Sequence, residues 1–243
     1  MKIEGCVALV TGANRGIGKA IVEELVSRGA AKVYAAVRKL ESAQAMVDGS
    51  GGRVAAIELD VTKADTIAAA AVAAGDANML INNAGVLTVT SLADPKAAAN
   101  LQWEFDTNVF GVLHLSQAFA PVLKANGGGA IVNINSVASI RNRDELGTYA
   151  VSKAASFSMT QAMRLAYASQ GTAVYSVFPG PIDTDMTTQF DWDKASPADT
   201  AKAIIDDVAG DRPMSFPDPF SRELWKNFTA GPQAMWFESD GQV

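Results

Sequence analysis

One cysteine and one histidine in 243 residues exclude two kinds of site at once. A single thiol, Cys6, cannot close an intrachain disulfide, and no Cys/His cluster offers metal-ligand spacing. Cys6 instead reads as a small buried strand residue. Excess basic charge is also missing: Lys and Arg number 20 against 26 Asp and Glu, a net charge of -6 with a pI near 4.8. A chain so charged has no electrostatic pull on phosphodiester backbones or anionic lipid, which makes nucleic acid a poor partner. No apolar run approaches the roughly 20 residues that span a bilayer. The start, "MKIEGCVALVTG", sets Glu4 before a short apolar run and lacks a signal peptide's basic region, so a cytoplasmic location is expected. Hydrophobic residues at 49% and charged residues at 19% suit an ordinary folded protein and not a disordered one. No linker divides the chain, and its length fits one large domain over 1–243.

What is present is alternation. Short apolar runs at 6–12, 32–37, 54–60, 78–85, 130–136 and 173–180 end in Gly, Asp, Asn or Ser, and segments with helical patterning separate them. This pattern predicts a parallel sheet covered on both faces, an α/β Rossmann-like doubly wound fold of six strands in the order 3-2-1-4-5-6. Helices are expected at 16–28, 41–48, 63–74, 96–125, 147–168 and 197–209. The aperiodic stretch 183–195, "DTDMTTQFDWDKA", falls just past the sixth strand, where such folds bind ligands, and reads as a substrate loop. From about 210, four prolines (Pro213, Pro217, Pro219, Pro232) interrupt the apolar patches, which marks a wrapped extension and not a second domain.

The first turn reads Thr11-Gly12-Ala13-Asn14-Arg15-Gly16-Ile17-Gly18. Glycines between a buried strand and a helix start allow positive φ and close backbone approach to a pyrophosphate, which the positive end of the helix then holds. The spacing G-x-x-x-G-x-G is a variant of the common dinucleotide fingerprint. About 20 residues further on, a ribose-binding acid is the usual signal for NAD, but the second strand here ends Val37-Arg38. A guanidinium there suits a 2′-phosphate, and Arg15 offers a second contact. NADP(H) is therefore the expected cofactor.

In "TYAVSK", Tyr149 and Lys153 stand four residues apart and share one helix face. A free phenol titrates near pH 10, too high for proton exchange at neutral pH, and a neighbouring ammonium is expected to lower it. Ser136, thirteen residues earlier, ends the fifth strand, where its hydroxyl can meet a substrate oxygen.

These motifs together make the chain resemble the short-chain dehydrogenase/reductase family from about residue 5 to 186. "TGANRGIG" (11–18), "LDV" (59–61), "NNAG" (82–85), Ser136 with "YAVSK", and "PGPIDT" (179–184) appear in the family's order. The resemblance implies that Tyr149 is the general acid/base, that Ser136 orients the substrate oxygen, and that Lys153 tunes Tyr149 and holds the nicotinamide ribose. It further implies that Asn108 kinks the long helix and holds a water leading to Lys153. Cofactor contacts are implied for Gly12, Asn14, Arg15, Gly16, Ile17 and Gly18, for Arg38, for Asp60 and Val61 at the adenine, and for Asn82, Ala84 and Gly85. Pro179, Gly180, Ile182 and Thr184 complete that set near the nicotinamide. The family's usual seventh strand with a "VDGG"-like close is not visible; the tail carries "FPDP" and the aromatics Trp225, Phe228, Trp236 and Phe237 instead. A homodimer or homotetramer is implied, with the helices at 96–125 and 147–168 as the less affected interface.

Val137, Ile140, Leu146, Met186 and Phe190 are expected to line an apolar substrate pocket, which suits a hydrophobic ketone, aldehyde or secondary alcohol. Arg141 and Arg143 read as solvated loop residues that could alternatively meet an acidic substrate. His114 lies six residues beyond Asn108, off its face, and reads as a packed or interface residue. A nonenzymatic NADP(H) sensor on the same fold is the alternative, though such a protein should have lost the tyrosine, lysine or serine.

Overall fold

Each apolar run becomes a strand because both of its faces are covered. A computed structural model describes residues 1–231. The strands are β1 (Val7–Thr11), β2 (Lys32–Val37), β3 (Val54–Glu58), β4 (Met79–Asn82), β5 (Gly129–Ile134), β6 (Thr172–Val177) and β7 (Met214–Ser215). They form one sheet in the order β3-β2-β1-β4-β5-β6-β7, parallel at every pairing. The helices are α1 (Gly16–Ser27), α2 (Gln44–Gly49), α3 (Ala64–Ala73), α4 (Ala97–Phe105), α5 (Val112–Ala125), α6 (Gly147–Tyr167), α7 (Pro197–Ala209) and α8 (Pro219–Ala230).

Side chains alternate across the sheet with period two. Val10, Val33, Ile81 and Val132 pack beneath α1 and α7, against Ile21, Leu25, Ile204 and Val208. Leu9, Leu80 and Ile131 face the other way, against Ile67, Leu115, Phe119 and Met163 of α3, α5 and α6. Each such buried aliphatic or phenyl group contributes about 1.5–3 kcal/mol. Cys6 is buried just before β1, and burial pushes its thiol up to about 11, so it stays protonated and inert.

Three features depart from the expectation. β7 is a seventh strand: its two residues pair with Ser176 and Val177 between two prolines, too short a run to leave an apolar signature. α8 forms within the proline-rich tail, where Asp218 caps it reciprocally with Ser221 and Pro219 fills the first turn. The long helix at 96–125 is two helices joined by a π-helical segment, Asp106–Gly111.

The tail closes over the carboxyl end of β6. Phe216 stacks on Phe178 at 5.0 Å and on Trp225 at 4.7 Å, and Trp225 stacks on Phe228 at 5.6 Å. Trp236, Phe237 and Pro232 lie outside the described residues. The loop at 183–195 is pinned at its two ends by pairing of Ile182 with Ala195.

Candidate active site

All six long strands end their carboxyl edges at one open cleft of about 1650 Å³. Its floor at β1 is the glycine loop. Gly12 and Gly16 have φ of +63° and +52°, a region that favours glycine. Gly18 is required for a different reason: a Cβ there would collide with the Gly12 carbonyl and the Asn83 amide. Thr11 Oγ1 accepts hydrogen bonds from the Asn83 and Ala84 N–H groups at 2.9 Å each, and Asn83 Nδ2 donates to the Thr11 carbonyl at 2.8 Å. The loop is thus braced from β4 while the start of α1 faces the cleft.

Asn14, Arg15, Ile17, Arg38, Asp60, Val61, Ala84, Gly85, Pro179, Gly180, Ile182 and Thr184 all line this cleft. Burial alone would raise the Asp60 carboxyl, but hydrogen bonds from Thr62 and the charges of Lys63 and Arg38 hold it below its ordinary value. Arg15 makes an exposed ion pair with Asp185, also on the cleft wall, at 2.8 Å. Asn82 is a correction: it is buried away from the cleft, with Nδ2 donating to Asn133 Oδ1 at 2.8 Å and Ser116 Oγ at 3.2 Å. As the last strand residue, it points its amide into the sheet; Asn83, one residue on, takes the cleft wall.

At the β5 end, Ser136, Tyr149 and Lys153 converge. Ser136 stands near enough to the Tyr149 hydroxyl to favour its phenolate, and Lys153 Nζ donates to the Ile134 carbonyl at 2.9 Å, 5.8 Å from the Tyr149 ring centre. All three side chains are buried. The expectation that Lys153 lowers the phenol is corrected. Burial dominates and pushes Tyr149 up to about 12, with Ser136 pulling down and Glu104 pushing up. Burial also lowers Lys153 to about 8. Desolvation disfavours both charges, so at neutral pH the phenol holds its proton.

Asn108 sits in the π-helical segment, behind the cleft wall. Its Oδ1 accepts from the Val86 N–H at 2.9 Å, and its Nδ2 donates to the Val86 carbonyl at 2.9 Å and to Ser152 Oγ at 3.0 Å. It therefore locks the 83–86 strand end to α6. Gly85 is the spacer between them: a Cβ on it would stand 3.2 Å from Asn108 Oδ1 and 3.5 Å from Lys153 Nζ.

Val137, Leu146 and Met186 line the cleft, but Ile140 and Phe190 do not. The N–H groups of Ile140 and Arg141 both bond the Val137 carbonyl, at 3.0 Å each, which curls the chain so that Arg141 takes the wall. Phe190 stacks on Trp192 at 3.9 Å, and Trp192 presents the indole to the cleft in its place. Trp103, Phe220 and Leu224 also line it and went unread. For the last two the one signal was the Asp218-Pro219 cap. Arg143, also on the wall, pairs with Glu145 at 2.8 Å and lies 5.7 Å over Trp192. His114 is exposed, away from the cleft, its ring 6.3 Å from that of Phe110.

Among the described residues no cluster of His, Cys, Asp or Glu could hold a metal ion, and no helix is long and apolar enough to cross a membrane.

A glycine-loop cleft ending in a buried Ser-Tyr-Lys group defines a dinucleotide-dependent oxidoreductase. The comparisons agree: residues 6–195 match the family model described as short chain dehydrogenase, and the chain belongs to that family. It is 37% identical over 193 residues to a 3-oxoacyl-acyl-carrier-protein reductase of Vibrio cholerae, covering 77% of this chain and 78% of that protein. To a cyclohexanol dehydrogenase of an Acinetobacter species it is 32% identical over 197 residues, covering 78% of each. A solved short-chain dehydrogenase of Burkholderia cenocepacia in complex with NADP superposes with a TM-score of 0.89 at 38% identity, covering 96% of this chain and 97% of that one.

Proposed function

We propose that the protein is an NADP(H)-dependent carbonyl reductase acting on hydrophobic ketones or aldehydes. The observation that carries this reading is the buried, protonated Tyr149 beside Ser136 at the closed end of the cleft. A substrate carbonyl oxygen reaching both hydroxyls would take a hydrogen bond from Ser136 and the proton from Tyr149. The nicotinamide, when bound, supplies or accepts the hydride. Its fit is supported by the glycine turn at the start of α1, which lines the cleft, and by the buried Lys153 ammonium, whose remaining donors suit ribose hydroxyls. Arg38, with Lys39 and Ser42 beside it on the wall, supports a 2′-phosphate.

Val137, Leu146, Met186 and Trp192 support an apolar substituent on the substrate. A second reading, a 3-oxoacyl thioester, draws on the Vibrio relative and on Arg141 and Arg143 along the wall. The sensor alternative loses ground because all three catalytic side chains are present and converge. We read the location as cytoplasmic and the assembly as a homodimer or homotetramer, with α4, the π segment, α5 and α6 at an interface.

The test is the initial rate of NADPH and NADH oxidation with cyclohexanone, an aromatic ketone, a 3-keto ester and acetoacetyl-CoA. Turnover of the simple ketones with NADPH supports the first reading, and turnover of acetoacetyl-CoA alone the second. Tight NADPH binding without turnover of any of them would overturn both and leave the sensor.

A further inference from the structure

Glu104, on α4, is completely buried, an uncommon place for a carboxyl group. Its Oε1 accepts two hydrogen bonds from one residue, from Thr88 N–H at 2.8 Å and Thr88 Oγ1 at 2.7 Å. Thr88 Oγ1 also lies 3.1 Å from Thr148 Oγ1. Thr88 has one hydroxyl proton and gives it to the carboxylate, so Thr148 must be the donor in that second contact. Protons are thus ordered in one direction, from Thr148 to Thr88 to Glu104. Two donors converge on Oε1, while Oε2 accepts nothing from the described residues. Thr148 directly precedes Tyr149 in the first turn of α6, so the chain ties that turn to a buried negative charge.

We propose that Glu104 is a positioning residue for the proton donor: through Thr88 and Thr148 it fixes the turn bearing Tyr149, and its charge keeps that phenol in the donor form. This rests on Tyr149 being the general acid. Burial is the larger cause of the high Tyr149 value, and Glu104 pushes in the same direction while Ser136 opposes both. From α6 the other titratable group is Lys153, and on the cleft wall stand Arg141, Arg143, Asp144, Glu145, Asp191 and Asp193. Asp106 follows in the π segment. Glu104 is the charged side chain on α4 that acts on the phenol from behind the cleft, where solvent does not screen it. The reaction's overall equilibrium is unaffected; what Glu104 sets is the pH at which each direction runs.

The experiment compares the wild type, Glu104→Gln and Glu104→Asp. It records kcat/KM from acidic to alkaline pH for the carbonyl turned over fastest with NADPH, and the ultraviolet tyrosinate titration, each taken against its Tyr149→Phe counterpart. Glu104→Gln should move the alkaline break and the Tyr149 titration about one pH unit lower, with KM for NADPH unchanged, and Glu104→Asp should restore both. Glu104→Met, of similar length and uncharged, gives the same comparison if Glu104→Gln does not fold. Coincident profiles for wild type and the uncharged variants would overturn the proposal while leaving Tyr149 as the acid. A fully active Tyr149→Phe would instead remove the functional reading beneath it.

Discussion

At the scale of the residue, the proposed chemistry rests on Tyr149 and Lys153. A phenol raised to about 12 and an ammonium lowered to about 8 are both consequences of burial. Tyr149→Phe keeps the ring and its packing but removes the proton, so kcat/KM for reduction should fall about 10²–10⁴-fold with cofactor affinity retained in a fluorescence titration. The depressed Lys153 has a stability consequence of definite sign. Between pH 8 and 10.5 the unfolded chain binds the proton that the folded chain has released, so stability rises with pH across that window. Denaturant melts at several pH values should show this rise, and Lys153→Met should flatten it. Arg38→Ala removes the guanidinium expected to meet a 2′-phosphate; KM for NADPH should rise about 10–100-fold, as for a charged hydrogen bond, with KM for NADH unchanged. Equal losses for both cofactors would remove that role.

At the scale of the element, the turn between β1 and α1 is specified by packing as much as by ligand binding. Gly18 touches the Gly12 carbonyl and the Asn83 amide, so Gly18→Ala should cost both thermal stability and dinucleotide binding, the first measurable by calorimetry without any cofactor. The two-part helix follows a similar logic. Gly111 lies against Val61, where a Cβ would stand 2.9 Å from Cγ2, and the π segment turns Asn108 toward Val86 and Ser152. Sequence periodicity read one helix over 96–125 because the π segment adds one residue per turn without changing the composition. The resemblance to the family supplied the kink; the hydrogen-bonded partners of Asn108 were visible only in space.

At the scale of the whole molecule, several large apolar side chains stay exposed in the single chain. Trp103 and Phe110 on α4 and the π segment, and Leu165 on α6, are exposed at 49%, 43% and 83%. Removing such side chains from water on association is favourable by about 25 cal/mol per Å². With the proposed assembly through these helices, Phe110→Glu should shift the mass seen by light scattering toward that of a monomer, and an unchanged mass would exclude that interface. β7 and α8 also belong to this scale. β7 caps the sheet edge and α8 supplies Phe220 and Leu224 to the cleft, so the tail shapes part of the cleft wall.

The sequence by itself determined the strand-helix alternation from which the six-strand order is inferred, the glycine loop, and the choice of Ser136, Tyr149 and Lys153 as candidates, because each rests on local periodicity or on motif order along the chain. Only the tertiary structure decided the sign of the Tyr149 shift, the removal of Asn82, Ile140 and Phe190 from the cleft, and the entry of Trp192 and α8. Those depend on which groups lose water and which backbone turns face each other, and burial is a property of the packed molecule that no spacing of residues records.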